Sequence, residues 1–81
     1  MRVTVLIRPK AGILDPQGEA VQTSLATLGF AVSRARVGRL VELDVETDDA
    51  VAARDAVERM CDELLANPLI ESYAVAVEGE A

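Results

Sequence analysis

The sequence has no histidine and no tryptophan, and Phe30 and Tyr73 are its only aromatic residues. The first absence removes the commonest general base and metal ligand. The scarcity of rings leaves no platform on which single-stranded nucleic acid could stack its bases. Cysteine occurs once, at Cys61, so the chain holds neither an internal disulfide framework nor a soft-metal site, and a reducing cytoplasm fits that usage. Positive charge is also scarce: 8 Lys and Arg stand against 14 Asp and Glu, a net charge of −6. A nucleic-acid footprint needs a basic face, and an anionic membrane repels such a chain, so neither is an expected partner. No long apolar run is present either. The opening "MRVTVLIRPK" is broken by Thr4 and closed by Arg8, and reads as neither a signal core nor a membrane span. The expectation is a soluble, cytoplasmic protein.

What is there is hydrophobic residue in quantity, 51% of 81 residues, in a chain with room for one domain, residues 1–81, and a small core. Chains of this size gain stability by self-association or by docking on a larger partner, so a homodimer or higher oligomer is expected.

In "RVTVLIRP" Val3, Val5 and Ile7 alternate with Arg2, Thr4, Leu6 and Arg8, the period of a half-buried strand, which Pro9 ends. The loop "KAGIL" leads to Asp15, whose carboxylate can accept from the free N–H groups of a helix start, followed by Pro16 at a position where its missing N–H costs nothing. The first helix is predicted over Pro16 to Leu28, with a stripe of Val21, Leu25 and Leu28 and a stop at Gly29. From Phe30 the pattern returns to β, with Val32, Ala35 and Val37 spaced as in a bulged strand. Gly38 separates it from "RLVELDVE", and the pair reads as a hairpin. Thr47, Asp48 or Asp49 caps a second helix running to about Ala66, with a stripe of Ala53, Val57, Met60, Cys61 and Leu64. Asn67-Pro68 stops it and "LIESYAVAVE" is the last strand.

The order βαββαβ predicts an α+β, ferredoxin-like sandwich: a four-stranded antiparallel sheet with two helices on one face. Its core would combine Val3, Val5, Ile7, Val41, Leu43, Val45 and Tyr73 or its neighbours with both helix stripes. The other face, bearing Leu6, Leu40, Ala74 and Ala76 among charges, suits a partner better than water.

Catalytic equipment is thin. Cys61 falls on a helix core position, where a small buried hydrophobe is favoured over a nucleophile. Glu46, Asp48 and Asp49 match no calcium loop and read as a solvated helix cap. Arg34, Arg36 and Arg39 around Gly38 fit a phosphate, an acidic partner surface or, most simply, a charged edge. "GILDPQG" places Gly12 and Gly18 beside a helix start without a phosphate-loop lysine or dinucleotide glycine spacing, so capping is again the preferred reading. No catalytic, cofactor or metal residue is assigned.

Three segments, "LDPQGEAV" opening the first helix, "RVGRLVEL" at the hairpin and "MCDELLANPLIESY" at the end of the second helix, resemble the PurS family of phosphoribosylformylglycinamidine synthase subunits across nearly the whole chain. Arg39 stands where relatives are expected to carry lysine. The resemblance implies a small non-catalytic subunit of a purine-biosynthetic complex. It would bridge a glutaminase subunit and a large synthetase subunit and assist ammonia transfer as a ferredoxin-like dimer, with ATP and magnesium on the large subunit. Asp15, Pro16, Gln17, Gly18, Arg36, Gly38 and Arg39 are then the candidates for partner docking. The alternative of a different class is an amino-acid-sensing domain of the ACT type, which has the same element order.

Overall fold

Alternation at the head of the chain produces β1, Arg2–Pro9, in a computed structural model that describes residues 1–79. Helix α1 spans Pro16–Thr27, β2 Arg39–Asp44, α2 Ala50–Met60 and β3 Glu71–Val77, with one wide π turn at Cys61–Leu65. The sheet is antiparallel throughout, in the order β2-β1-β3. Strand β1 is therefore paired on both edges. Its register sets Leu43, Val3 and Val77 in one row and Val41, Val5 and Val75 in the next, with Ile7 opposite Tyr73. Cross-strand neighbours share a face, so these rows make one apolar layer.

Helix α2 covers that layer. Ala53, Val57 and Cys61 meet Val3, Val5 and Ile7, and Ala66 and Val77 complete the buried set. Burying each Val or Ile contributes about 1.5–3 kcal/mol, so a core this small leaves little reserve. Asp49 starts α2, its carboxylate accepting from the Val51 N–H at 2.9 Å. Of the three residues proposed as caps, Asp49 is the one that bonds the helix.

The fold is α+β with two helices, as the sequence implied, but the sheet has three strands. Residues 30–37 form neither a strand nor a hairpin with β2. Their backbone finds partners along α1 instead. Asp15 Oδ2 accepts from the Val37 N–H at 2.9 Å, and Gln22 Nε2 donates to the Ser33 carbonyl at 2.9 Å. Bonded sideways in this way, the segment leaves the outer edge of β2 without a partner strand among the described residues.

The position of α1 is a second correction. The helix does not pack on the sheet, and only α2 lies on the sheet face. Val21 and Leu28, expected in the core, are 41% and 72% exposed. A 3.6-residue period establishes an apolar stripe but names no surface to receive it.

The third correction falls on the end of α2. At the π turn the Ala66 N–H reaches the Cys61 carbonyl, five residues back, at 3.0 Å. The wider turn delays the phase by one residue, so Ala66, five residues after Cys61, is buried and Leu65 packs on the core while Leu64 is 83% exposed; Met60, ahead of the turn, is 37% exposed. Ile7→Ala is accordingly expected to cost about 2–5 kcal/mol. Leu64→Ala, at a site of similar sequence character, should stay within about 0.5 kcal/mol. Urea midpoints at constant m-value measure both.

Candidate functional site: a basic sheet end joined to the start of α1

The residues proposed for docking come from two separate stretches, and the fold brings them to one end of the molecule. Asp15 is the hinge between them. Its Oδ1 accepts from the Gly18 N–H at 3.0 Å, capping α1, while Oδ2 takes the Val37 N–H. One carboxylate thus fastens the helix start to the segment that leads into β2. Gly18 is buried at this junction. A Cβ there would press on the Asp15 carboxylate and lie 2.5 Å from the Ala35 carbonyl oxygen, so the close approach admits only glycine without movement. Pro16 and Gln17 are exposed on the first turn.

Gly38 makes a similar approach on the other side, where a Cβ would strike the Ile7 carbonyl. Around it an open groove of about 380 Å³ is lined by Leu6, Arg8, Arg36, Arg39 and Leu40. A smaller hollow of about 180 Å³ adjoins the helix start and includes Leu14, Asp15, Gln22, Arg34 and Arg36. Arg36 lines both hollows, so they adjoin at that residue.

The guanidinium groups here are held in different ways. Arg39 is 2.8 and 2.9 Å from the two Glu71 oxygens and donates to the Leu65 carbonyl at 3.1 Å, tying β2 to the end of the π turn. Glu71 also accepts from the Asn67 N–H, and that bond, aided by Arg39, holds its carboxyl below the usual range. Arg36 donates to the Pro9 carbonyl and Lys10 to the Pro68 carbonyl, neither of which neutralises a charge. Arg8, Lys10, Arg34 and Arg36 form no ion pair among the described residues. Far along the open face, by contrast, Arg2 is paired with Asp44 and Glu42.

Arg8 is the member of this surface that sequence reasoning missed. Arg8 carried a usable signal, since β1 alternation puts it on the Leu6 side of the sheet. Its nearness to Leu40 and Arg36 required the β1–β2 register, in which Leu6 faces Leu40, and the path of residues 30–37.

The residues weighed for chemistry sit elsewhere. Cys61 is fully buried in the core, and burial pushes its thiol up, away from the nucleophilic thiolate. Asp49 is spent on the α2 cap, and Glu46 and Asp48 are exposed. No group of three or more metal-ligating side chains occurs among the described residues, and no helix there is long and apolar enough to cross a membrane.

The Asp15 carboxyl is lowered first by the Gly18 N–H, then by the Val37 N–H, with Arg36 adding a smaller effect. A carboxylate so held adds stability above its unfolded-state pKa of ~3.9 and gives it up as pH falls through the lower folded value. Asp15→Asn keeps an acceptor for Gly18 but turns an amide N–H₂ toward Val37. The variant should melt at lower temperature than wild type near neutral pH, and the gap should narrow below pH ~4. Thermal melts from neutral to acid pH check this, and an unchanged gap would contradict the two-bond clamp.

Comparison with known proteins agrees with this architecture. The family model PurS, phosphoribosylformylglycinamidine (FGAM) synthase, matches residues 2–79. A phosphoribosylformylglycinamidine synthase subunit PurS from Synechocystis sp. is 44% identical over 82 residues, covering 96% of this chain and 80% of that protein. The crystal structure of Methanocaldococcus jannaschii PurS superposes with a TM-score of 0.86 at 34% identity, over 99% of this chain and 98% of that one. A chain in the structure of PurLQS from Thermotoga maritima superposes with a TM-score of 0.85 at 30% identity, over 93% of each. With the match running from the first residue of β1 past the end of β3, the chain belongs to the PurS family of FGAM synthase subunits.

Proposed function

We propose that this chain is the small subunit of a multi-chain FGAM synthase, serving purine biosynthesis by bridging a glutaminase subunit and an ATP-dependent synthetase subunit and assisting ammonia transfer between them. The observation that carries this reading is the end-to-end match to PurS proteins, one of them in the Thermotoga maritima PurLQS structure. The distribution of residues supports a role exercised through surfaces. The basic end, the exposed start of α1 and the open sheet face offer contact area, while the buried interior is wholly apolar. In this account ATP and magnesium belong to the synthetase subunit, and the protein works in the cytoplasm. The ACT-type alternative rested on element order alone and is not favoured by these matches.

The proposal includes a homodimer or higher oligomer. Among the described residues twelve large hydrophobic side chains are exposed and eight residues form the whole buried core, a balance that leaves much apolar area for a partner. The α1 stripe, with Val21 and Leu28, and the outer edge of β2 are the surfaces assigned to self-association. Pairing at that edge would also supply the fourth strand position that the single chain leaves open.

Light scattering at micromolar concentration should give twice the mass of one chain or more, and the double variant Val21→Glu, Leu28→Glu should give the mass of one. A wild-type monomer would contradict the dimer. For the bridging role, Asp15→Ala in the reconstituted complex should cut glutamine-dependent synthesis severalfold while synthesis from excess ammonia stays within about twofold. Ammonia added in excess needs no delivery between subunits, so equal loss with both nitrogen sources would contradict bridging.

A further inference from the structure

We infer that the groove lined by Arg8 and Arg36 over Leu6 and Leu40 receives an acidic segment of a different protein chain, one that places carboxylates on those two guanidinium groups and an aliphatic side chain between the leucines. The inference deepens the bridging proposal and rests on it, since it names the chemistry by which one partner subunit is held.

Charge distribution is the first ground. Five of the eight basic residues, Arg8, Lys10, Arg34, Arg36 and Arg39, gather at this end of a chain whose net charge is −6. Four of them lack an ion-pair partner among the described residues. Asp15 and Glu19 lie beside Arg34 and Arg36, and Glu71 pairs with Arg39, so the positive charge left unbalanced is concentrated at Arg8 and Arg36 over the groove, where an incoming carboxylate is attracted.

Pre-organisation is the second. Arg36 is held to the Pro9 carbonyl, so one of the two guanidinium groups is already ordered, while the Arg39 fork is taken up by Glu71 and the Leu65 carbonyl. Less side-chain entropy is then lost on binding. Arginine forks suit carboxylates, and arginine is enriched among residues that dominate interfaces.

The shape of the groove selects the occupant. Pockets for small molecules enclose most of their ligand, whereas this groove is open and its floor carries Leu6 and Leu40, 41% and 56% exposed. The nearby α1 start is not available to a phosphate, because Asp15 already occupies its Gly18 N–H. A second copy of this chain is not the expected occupant, because the surfaces assigned to self-association, the α1 stripe and the outer edge of β2, do not include the Leu6 and Arg8 face of β1.

The test uses the full chain with the synthetase and glutaminase subunits of the same enzyme, and calorimetry with each. Wild type should bind one of them with an affinity that falls about tenfold or more as salt rises from low to several hundred millimolar. Arg8→Glu should weaken that binding about tenfold or more at low salt, Arg8→Gln less so, with melting temperatures and oligomeric mass unchanged because Arg8 makes no described ion pair. In parallel, a synthetic peptide of alternating glutamate and leucine should shift the amide resonances of Leu6, Arg8 and Leu40 in wild type and not in Arg8→Glu.

Binding of both variants within about twofold of wild type overturns the groove assignment while leaving bridging intact. Equal shifts with inorganic phosphate that displace the peptide overturn the peptide occupant in favour of a small anion. Loss of the dimer in Arg8→Glu assigns the groove to a second copy and overturns the proposal. Wild type that binds neither subunit overturns bridging and this assignment together.

Discussion

Strand β1 carries the fold because, among the described strands, it alone is hydrogen-bonded on both edges, and its two-residue period divides the molecule. Val3, Val5 and Ile7 turn toward α2 and make the core, while Arg2, Thr4, Leu6 and Arg8 turn toward the open face. A one-residue slip against β2 or β3 would exchange the two sets and bury charge. The partners across the sheet fix the register: valines and leucines line up on the inner side, and Arg2 meets Asp44 and Glu42 on the outer. Placement of the basic groove follows from the same alternation, since Arg8 and Leu6 reach it as outward residues of this strand.

A core confined to one side of a three-stranded sheet has an energetic consequence. The helix that covers it is short, continues through a π turn, and packs small residues, Ala53 and Cys61, close to the strands. The other helix adds little to that core. Its hold on the rest of the chain is polar and local, through Asp15 to Gly18 and Val37 and through Gln22 to Ser33. Such contacts fix direction more than they add stability, each being worth about 1 kcal/mol net. The result is a stable half and a displayed half, and the displayed half holds the surfaces through which a subunit of a larger enzyme would act.

Much of this was legible in the residues. Alternation announced all three observed strands, and Asp15-Pro16 announced the start of α1 to the residue. The segment 30–37 misled because spaced apolar residues at Val32, Ala35 and Val37 look the same whether the backbone bonds to a strand or to side chains of a preceding helix. The covering of α1 was illegible for a related reason: periodicity describes one element, and burial belongs to a pair. The phase change at Cys61–Leu65 comes with a five-residue bond from Ala66 to Cys61 that no propensity encodes. Within the site, Asp15 and Gly18 were visible as a cap, but the second bond to Val37, across 22 residues, was not. Arg8 escaped notice because its role depends on strand register. The family resemblance carried the functional reading further than composition could, as the match over residues 2–79 shows.

The central claim is that the chain joins two larger subunits by surface contact. Native mass spectrometry of the glutaminase and synthetase subunits, with and without this chain at equal concentrations, tests it most directly. The account predicts a single assembly containing all three when the chain is present and separate glutaminase and synthetase species when it is omitted. An undiminished glutaminase–synthetase assembly in its absence would contradict it.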